Sequence, residues 1–253
     1  MMPMFDDLAG RVAVVTGASR GIGAATARLF AASGMSVALI ARDADALEDV
    51  REDIWDAGGR AIVAPADVTR PDALAFAAKH VANELGDVDV LAAFAGGNGR
   101  PQLSESMSPP AWRAILDGDL SSVFYTIQTF APGMLERGHG SIITMSSAAG
   151  RTPSQANVAY AVAKAGVVML TRHLAAEFAT RGVRVNALAP SAVRNQKMAG
   201  MPAAQFDAMV RSFPLGRIGE PNDIAAAAVY LASDASGWVT GVTLDISGGK
   251  IIA

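Results

Sequence analysis

Tyr160 and Lys164 stand four positions apart in the run Tyr160-Ala-Val-Ala-Lys164, at the start of a stretch that predicts a helix through Ala179. That spacing is just over one helical turn, so both side chains share a face. An unperturbed phenol titrates near ~10, too high for easy proton exchange at neutral pH. A lysine ammonium beside it favours the phenolate and lowers that barrier, which suits the pair to proton transfer at a carbonyl oxygen. The chain has three tyrosines and four lysines, and an ordinary exposed helix pair is the competing reading. Ser147 lies thirteen residues before Tyr160, just past the run Ser141-Ile-Ile-Thr-Met-Ser146, where its hydroxyl can hydrogen-bond a substrate oxygen.

A second group of residues suits phosphate. The run Thr16-Gly17-Ala18-Ser19-Arg20-Gly21-Ile22-Gly23 joins an apolar β-type segment to an Ala-rich helical one. A glycine-rich turn in that place lets backbone N–H groups approach a pyrophosphate, and the helix N-terminus adds partial positive charge. Glycines alone also make ordinary tight turns, so the strand-turn-helix context carries the reading. At the end of the second strand, Leu39-Ile40-Ala41-Arg42, an acidic residue would bind a ribose 2′-hydroxyl, whereas arginine pairs with a 2′-phosphate. Ala41 followed by Arg42, with Arg20 in the turn, favours NADPH over NAD(H). A solvated helix-start role for Arg42 stays open, as does interference from Asp43.

These residues need a scaffold that gathers them. Val12–Thr16, Ser36–Ile40, Ala61–Ala64, Val88–Phe94, Ser141–Ser146, Arg184–Leu188 and Thr243–Ile246 read as seven strands, most of them apolar enough for burial on both faces. Helical patterns lie between them; in Asp45–Asp56 the stripe Leu47, Val50, Ile54 opposes Glu48, Asp49, Arg51, Glu52 and Asp53. Alternation of this kind predicts an α/β fold of the Rossmann type, a doubly wound seven-stranded parallel sheet with helices on both faces. No repeat or linker interrupts it, so residues 1–253 are expected to form one domain, with the less regular residues 194–214 as a substrate flap.

The remaining composition mostly excludes. The net charge of −3, from 21 basic and 24 acidic residues, gives no footprint for nucleic acid or an anionic membrane. With no cysteine, disulfides, thiolate zinc sites and a cysteine nucleophile drop out. His80, His139 and His173 show no ligand spacing, so no metal is expected, and the carboxylates of 48–53 look like a solvated helix face. Trp112, Trp238 and Met169 read as core or subunit packing. No signal peptide or membrane span is visible, which makes a soluble cytoplasmic protein the default. Ser147 lacks the Gly-x-Ser-x-Gly frame that holds the nucleophile of α/β-hydrolases.

The glycine spacing, three residues and then one between glycines, resembles the short-chain dehydrogenase/reductase family. So do Asp67-Val68, Ala95-Gly96 and Pro190-Ser191 after the third, fourth and sixth strands, the run Arg184-Val-Asn-Ala-Leu-Ala-Pro190, and the stretch from Pro214 through Gly241 to Ser247-Gly-Gly249. The likeness spans nearly the whole chain and is nearest in pattern to the 3-oxoacyl carrier-protein reductase-like group. It implies Ser147, Tyr160 and Lys164 as the catalytic set, with Lys164 on the cofactor ribose. It implies a cofactor site of Gly17, Ser19, Arg20, Gly21, Ile22 and Gly23, then Arg42, with Asp67 and Val68 at the adenine, followed by Ala95, Gly96, Pro190, Ser191 and Val193. Asp67 could equally be a turn or N-cap aspartate. The expected reaction is NADPH-dependent, reversible reduction of a ketone or 3-oxoacyl-type carbonyl to a secondary alcohol, in a small-molecule substrate with an acyl thioester among the candidates, with no nucleic-acid or membrane partner, by a homo-oligomer, tetramer or dimer. The alternatives are an NAD-dependent secondary-alcohol dehydrogenase and a catalytically impaired nucleotide-binding subunit. Departures from the family pattern are Ala93-Phe94 where relatives carry asparagines, Ser191 for glycine, Asn195 for threonine, and Asp119 for the asparagine that links the lysine to solvent. Asp119 is expected in the catalytic set, where its carboxylate can still bind the water that the asparagine holds in relatives, or pair with Lys164 and raise its pKa.

Overall fold

The computed structural model describes residues 5–97, 99–198 and 200–251. Its seven strands are β1 (Val12–Thr16), β2 (Ser36–Ile40), β3 (Arg60–Val63), β4 (Val90–Ala93), β5 (Gly140–Met145), β6 (Val183–Pro190) and β7 (Thr243–Ile246). All pair in parallel in the order β3-β2-β1-β4-β5-β6-β7. Strands β1, β4 and β5 are buried throughout, as their unbroken apolar runs require, whereas the edge strand β3 is half-buried after an exposed Arg60.

The helices are α1 (Gly21–Ala32), α2 (Ala44–Asp56), α3 (Pro71–Leu85), α4 (Pro109–Leu116), α5 (Ser122–Arg137), α6 (Val158–Phe178), α7 (Ala203–Arg211) and α8 (Pro221–Ala232). Two cores cover the two faces of the sheet. Phe30 of α1, Leu47 and Ile54 of α2 and Ile224 of α8 fill one. Leu74 of α3, Ile127 of α5 and Val167, Leu174 and Phe178 of α6 fill the other. The Rossmann-type doubly wound sheet is therefore as expected. The chain winds outward in both directions from β1 and β4, and the carboxyl ends of those two strands open the crevice where such sheets bind ligands.

Strand β4 is shorter than Val88–Phe94 because the Phe94 N–H leaves the ladder for the Thr16 hydroxyl, at 3.0 Å. Strand β6 runs past Leu188 because Pro190 still pairs with Ile246, a place at a strand end where the missing N–H costs little. The stripe Leu47, Val50, Ile54 is buried, and of the opposing side chains only Arg51 is partly covered. Trp238 and Met169 are exposed and Trp112 is half-buried, so none belongs to this chain's core. His139 and His173 are exposed and His80 half-buried. Among the described residues no helix is long and apolar enough to cross a membrane.

One link joins distant parts of the sequence. Arg11, just before β1, is ion-paired with Asp234 at 2.8 Å and with Asp7 at 3.2 Å, and Asp7 accepts the Asp234 N–H at 2.9 Å.

Candidate active site

The glycine turn leaves β1 and enters α1 as expected. Gly17 and Gly21 have positive φ, 71° and 57°, which glycine adopts without strain. A Cβ on Gly17 would lie 3.1 Å from the Ala95 backbone, one on Gly23 would collide with the Gly17 carbonyl oxygen, and one on Gly21 would meet nothing. The turn is thus packed tightly against β4 and α1 but open on one side. Among the described residues no side chain caps α1, so its first N–H groups are left to an anion. That combination fits a pyrophosphate.

Around the turn, Ser19 and Ile22 are half-buried, while Arg20 and Arg42 are exposed and form no ion pair among the described residues. Asp43 caps α2, accepting from Ala46 N at 3.2 Å. Asp67 accepts from the Thr69 N–H at 3.0 Å and its hydroxyl at 2.7 Å. Those two bonds, with the nearby Arg42 charge, hold its carboxyl below the usual range. The adjacent Val68 side chain lies in the core. Beyond β6, Ser191 N donates to Ile246 O at 3.2 Å, and Val193 is buried where it bridges to Gly219. Phe94, at the departure before Ala95-Gly96, packs in the core on the α1 side.

Ser147, Tyr160, Lys164 and Asp119 converge at the carboxyl ends of β4 and β5. Ser147 follows β5 and accepts the Ala149 N–H at 3.2 Å; its hydroxyl lies close enough to the Tyr160 phenol to favour the phenolate. Tyr160 and Lys164 share a face of α6, with Nζ 5.5 Å from the ring centroid. Lys164 is 2% exposed and donates to Met145 O at 3.0 Å. Its backbone is held too: Ser146 Oγ donates to Lys164 O at 2.8 Å, and a Cβ on Gly150 would meet the Lys164 carbonyl carbon at 2.5 Å.

Asp119 reaches the site through a distortion. Between α4 and α5 the helix widens into a π turn, Asp117–Ser121, with Gly118 inside it. Such turns are rare and concentrate at functional sites. Asp119 is 0% exposed, accepts the Gly97 N–H at 2.6 Å, and lies 3.3 Å from Lys164 Nζ. The expected pairing is present, but its consequence differs. Burial lowers the Lys164 pKa and outweighs the opposing pull of Asp119. Nor is the phenol lowered: burial raises Tyr160 to about 12 against the opposing effect of Ser147, with a smaller further push from Asp119. A buried ammonium already neutralised by a carboxylate has little field left for a neighbour.

Three contributors were missed in the sequence. Asn157 caps α6, accepting the Tyr160 N–H at 2.8 Å and donating from Nδ2 to Arg100 O at 2.9 Å; asparagine three residues before a helical tyrosine is a legible cap signal. Thr16 Oγ1 accepts from both Phe94 N and Ala95 N. Gly99 lies against the Tyr160 ring, where a Cβ would approach Cδ1 to 2.9 Å. Among the described residues, no cluster of His, Asp or Glu could hold a metal ion.

The comparisons agree with this architecture. A family model described as enoyl-(acyl carrier protein) reductase matches residues 17–250. The chain is 39% identical to cis-4-hydroxycyclohexanecarboxylate dehydrogenase of Sinomonas cyclohexanicum over 246 residues, 97% of this chain and 98% of that one. It is 36% identical to the 3-oxoacyl-[acyl-carrier-protein] reductase of Vibrio cholerae over 244 residues, 96% and 98% of the two chains. A short-chain type dehydrogenase/reductase from Mycobacterium marinum superposes with a TM-score of 0.90 at 35% identity, covering 99% of this chain and 98% of that one. Fold and relatives together define an NAD(P)-dependent oxidoreductase. The chain belongs to the short-chain dehydrogenase/reductase family, as its motifs suggested.

Proposed function

We propose that this chain is an NADPH-dependent reductase that converts a ketone or 3-oxoacyl-type carbonyl to a secondary alcohol, reversibly. The observation that carries the reading is the convergence of Ser147, Tyr160 and Lys164 beside the open glycine turn. Residues 17–23 hold the pyrophosphate, Asp67 and Val68 the adenine, and Ala95, Gly96, Pro190, Ser191 and Val193 line the nicotinamide side. The bound nicotinamide supplies the hydride for the carbonyl carbon. Ser147 orients the carbonyl oxygen, Tyr160 Oη donates its proton to that oxygen, and Lys164 holds the ribose. A phenol raised to about 12 is fully protonated at neutral pH, the state that reduction uses.

NADPH is favoured because Arg20 and Arg42 stand exposed at the strand ends while Asp43 is occupied as a helix cap. The relatives named above act on a hydroxycyclohexane carboxylate and a 3-oxoacyl carrier protein, so substrates with a secondary alcohol or its ketone come first. We read residues 1–253 as one domain, with 194–214, which include α7, as a flap over the substrate, and the active form as a homo-oligomer.

Fluorescence titration with NADPH and NADH, followed by absorbance loss on adding ketones and β-ketoesters, tests the reading. Preferred NADPH binding and turnover abolished in Tyr160→Phe are expected; preferred oxidation of NADH, or preferred reduction of NAD+ by an alcohol, refutes the cofactor assignment. One observation favours a second reading, a nucleotide-binding subunit without turnover: the Lys164 charge is already taken by Asp119. Binding without turnover on every carbonyl would select it.

A further inference from the structure

The buried carboxylate of Asp119 adds to this site a charge that the reaction as proposed does not require. It lies 3.3 Å from Lys164 Nζ on one side and takes the Gly97 N–H at 2.6 Å on the other. Lys164 spends a further donor on the Met145 carbonyl. The ammonium is thus engaged by two oxygens, and its charge is cancelled within one hydrogen-bonding distance of where it resides. Tyr160 therefore faces a neutral pair.

We propose that Asp119 acts as a positioning residue that keeps Tyr160 a proton donor, so that this chain reduces carbonyls across the neutral range but oxidises alcohols only under distinctly alkaline conditions. The inference rests on Tyr160 being the acid-base group of the proposed reductase. Reduction begins with the phenol and ends with the phenolate, after its proton has passed to the carbonyl oxygen that the hydride has made an alkoxide. Oxidation runs the same step backwards and must begin with the phenolate to take the alcohol proton. An anion behind the lysine stabilises the first state and penalises the second.

Among the described residues, no other charge on the surrounding elements offsets this. Arg100, on the loop that covers the tyrosine ring, presents only its carbonyl to α6, and its side chain is exposed. Arg151, on the turn after Ser147, is held in a two-bond pair with Asp245 of β7 at 3.1 and 3.0 Å. Asp117, in the π turn, is exposed and accepts from Ser121. Strand β5 contributes the neutral Met145 carbonyl, and burial of the phenol works in the same direction as Asp119.

The test is a rapid pH-jump titration of phenolate absorbance in the free protein, read before alkaline unfolding. The difference between wild type and Tyr160→Phe isolates Tyr160 from Tyr125 and Tyr230. Expected is a Tyr160 signal that ionises only above about pH 10 in wild type and up to about one pH unit lower in Asp119→Asn. The alkaline limb of alcohol oxidation should move down with it. Ionisation of wild-type Tyr160 below about pH 10, or at the same pH in both proteins, overturns the inference. Should Asp119→Asn fail to fold, the same comparison with Asp119→Ser decides by the same criterion, since burial alone would also hold the wild-type phenol high. The spectral readout needs no turnover, so an inactive wild type would refute the proposed function and leave this measurement intact.

Discussion

Replacing Asn157 by alanine removes at least two bonds from one buried side chain, and a lower bound on the loss can be worked out from their geometry. Asn157 is 2% exposed; its Oδ1 caps α6 on the N–H of Tyr160 itself, and its Nδ2 ties α6 to the Arg100 carbonyl. Loss of the cap costs about 1 kcal/mol. Loss of the second bond costs about another 1 kcal/mol, since it strands the Arg100 carbonyl at the edge of the site. For a chain of this size about 2 kcal/mol lowers Tm by roughly 4–8 °C. The effect on activity should exceed that on folding, because the first turn of α6 carries Tyr160 and the loop at Gly99 rests on its ring; a kcat loss of about tenfold or more is expected. Asn157→Ser restores the cap acceptor but not the tie to Arg100, and should recover about half of the Tm loss and little of the kcat loss. Thermal unfolding with steady-state kinetics on the three proteins decides the matter. An alanine variant melting within about 1 °C of wild type with unchanged kcat would refute the claim that this cap positions the tyrosine.

Three further outcomes follow from other sites. Arg42→Ala should weaken NADPH binding by about tenfold, the discounted value of one exposed charge on a 2′-phosphate, and leave NADH within about twofold; equal losses for both in fluorescence titration would place Arg42 outside the phosphate site. Gly23→Ala puts a methyl into the Gly17 carbonyl oxygen; about 1–3 kcal/mol of stability should be lost, with at least a tenfold fall in affinity for either nucleotide, read by melting and by the same titration. Asp223→Ala removes half of the reciprocal cap with Glu220 at the start of α8 and should cost about 1 kcal/mol at neutral pH. The Arg217 bond comes first among the causes that hold the Asp223 carboxyl below its usual range. The unfolded chain therefore takes up the proton first, so the stabilisation is complete above the ordinary carboxylate range and disappears as pH falls through the lowered folded value. The gap between wild type and variant should close on acidification; a gap that stays constant would mean that the charge contributes nothing.

The sheet was legible because burial on both faces leaves an uninterrupted apolar run, and three of its strands, β1, β2 and β7, have the bounds read from the sequence. Strand ends were less legible where a side chain competes with the ladder, as Thr16 does for Phe94. The glycine turn and the Tyr160–Lys164 spacing are local patterns and could be read directly. The π turn at Asp117–Ser121 has no such signature, since an extra residue in one helical turn is decided by what the helix packs against. The pairing of Asp119 with Lys164 could be anticipated from charge, but not the resulting protonation equilibria, which depend on how dry the site is. Trp238 and Met169 show the converse: an apolar residue type does not say whether this chain covers it.

The ion pair between Arg11 and Asp234 bears on how the protein comes off the ribosome. Strand β1 is made early, yet its neighbour β4 follows some seventy residues later, and the carboxylate that fastens Arg11 in front of β1 arrives only at position 234. Contacts so distant in sequence make closure slow. A nascent chain halted before α8 would hold β1 with one core open on the α8 side, an apolar surface that invites chaperones or aggregation until about the last eighth of the chain is synthesised.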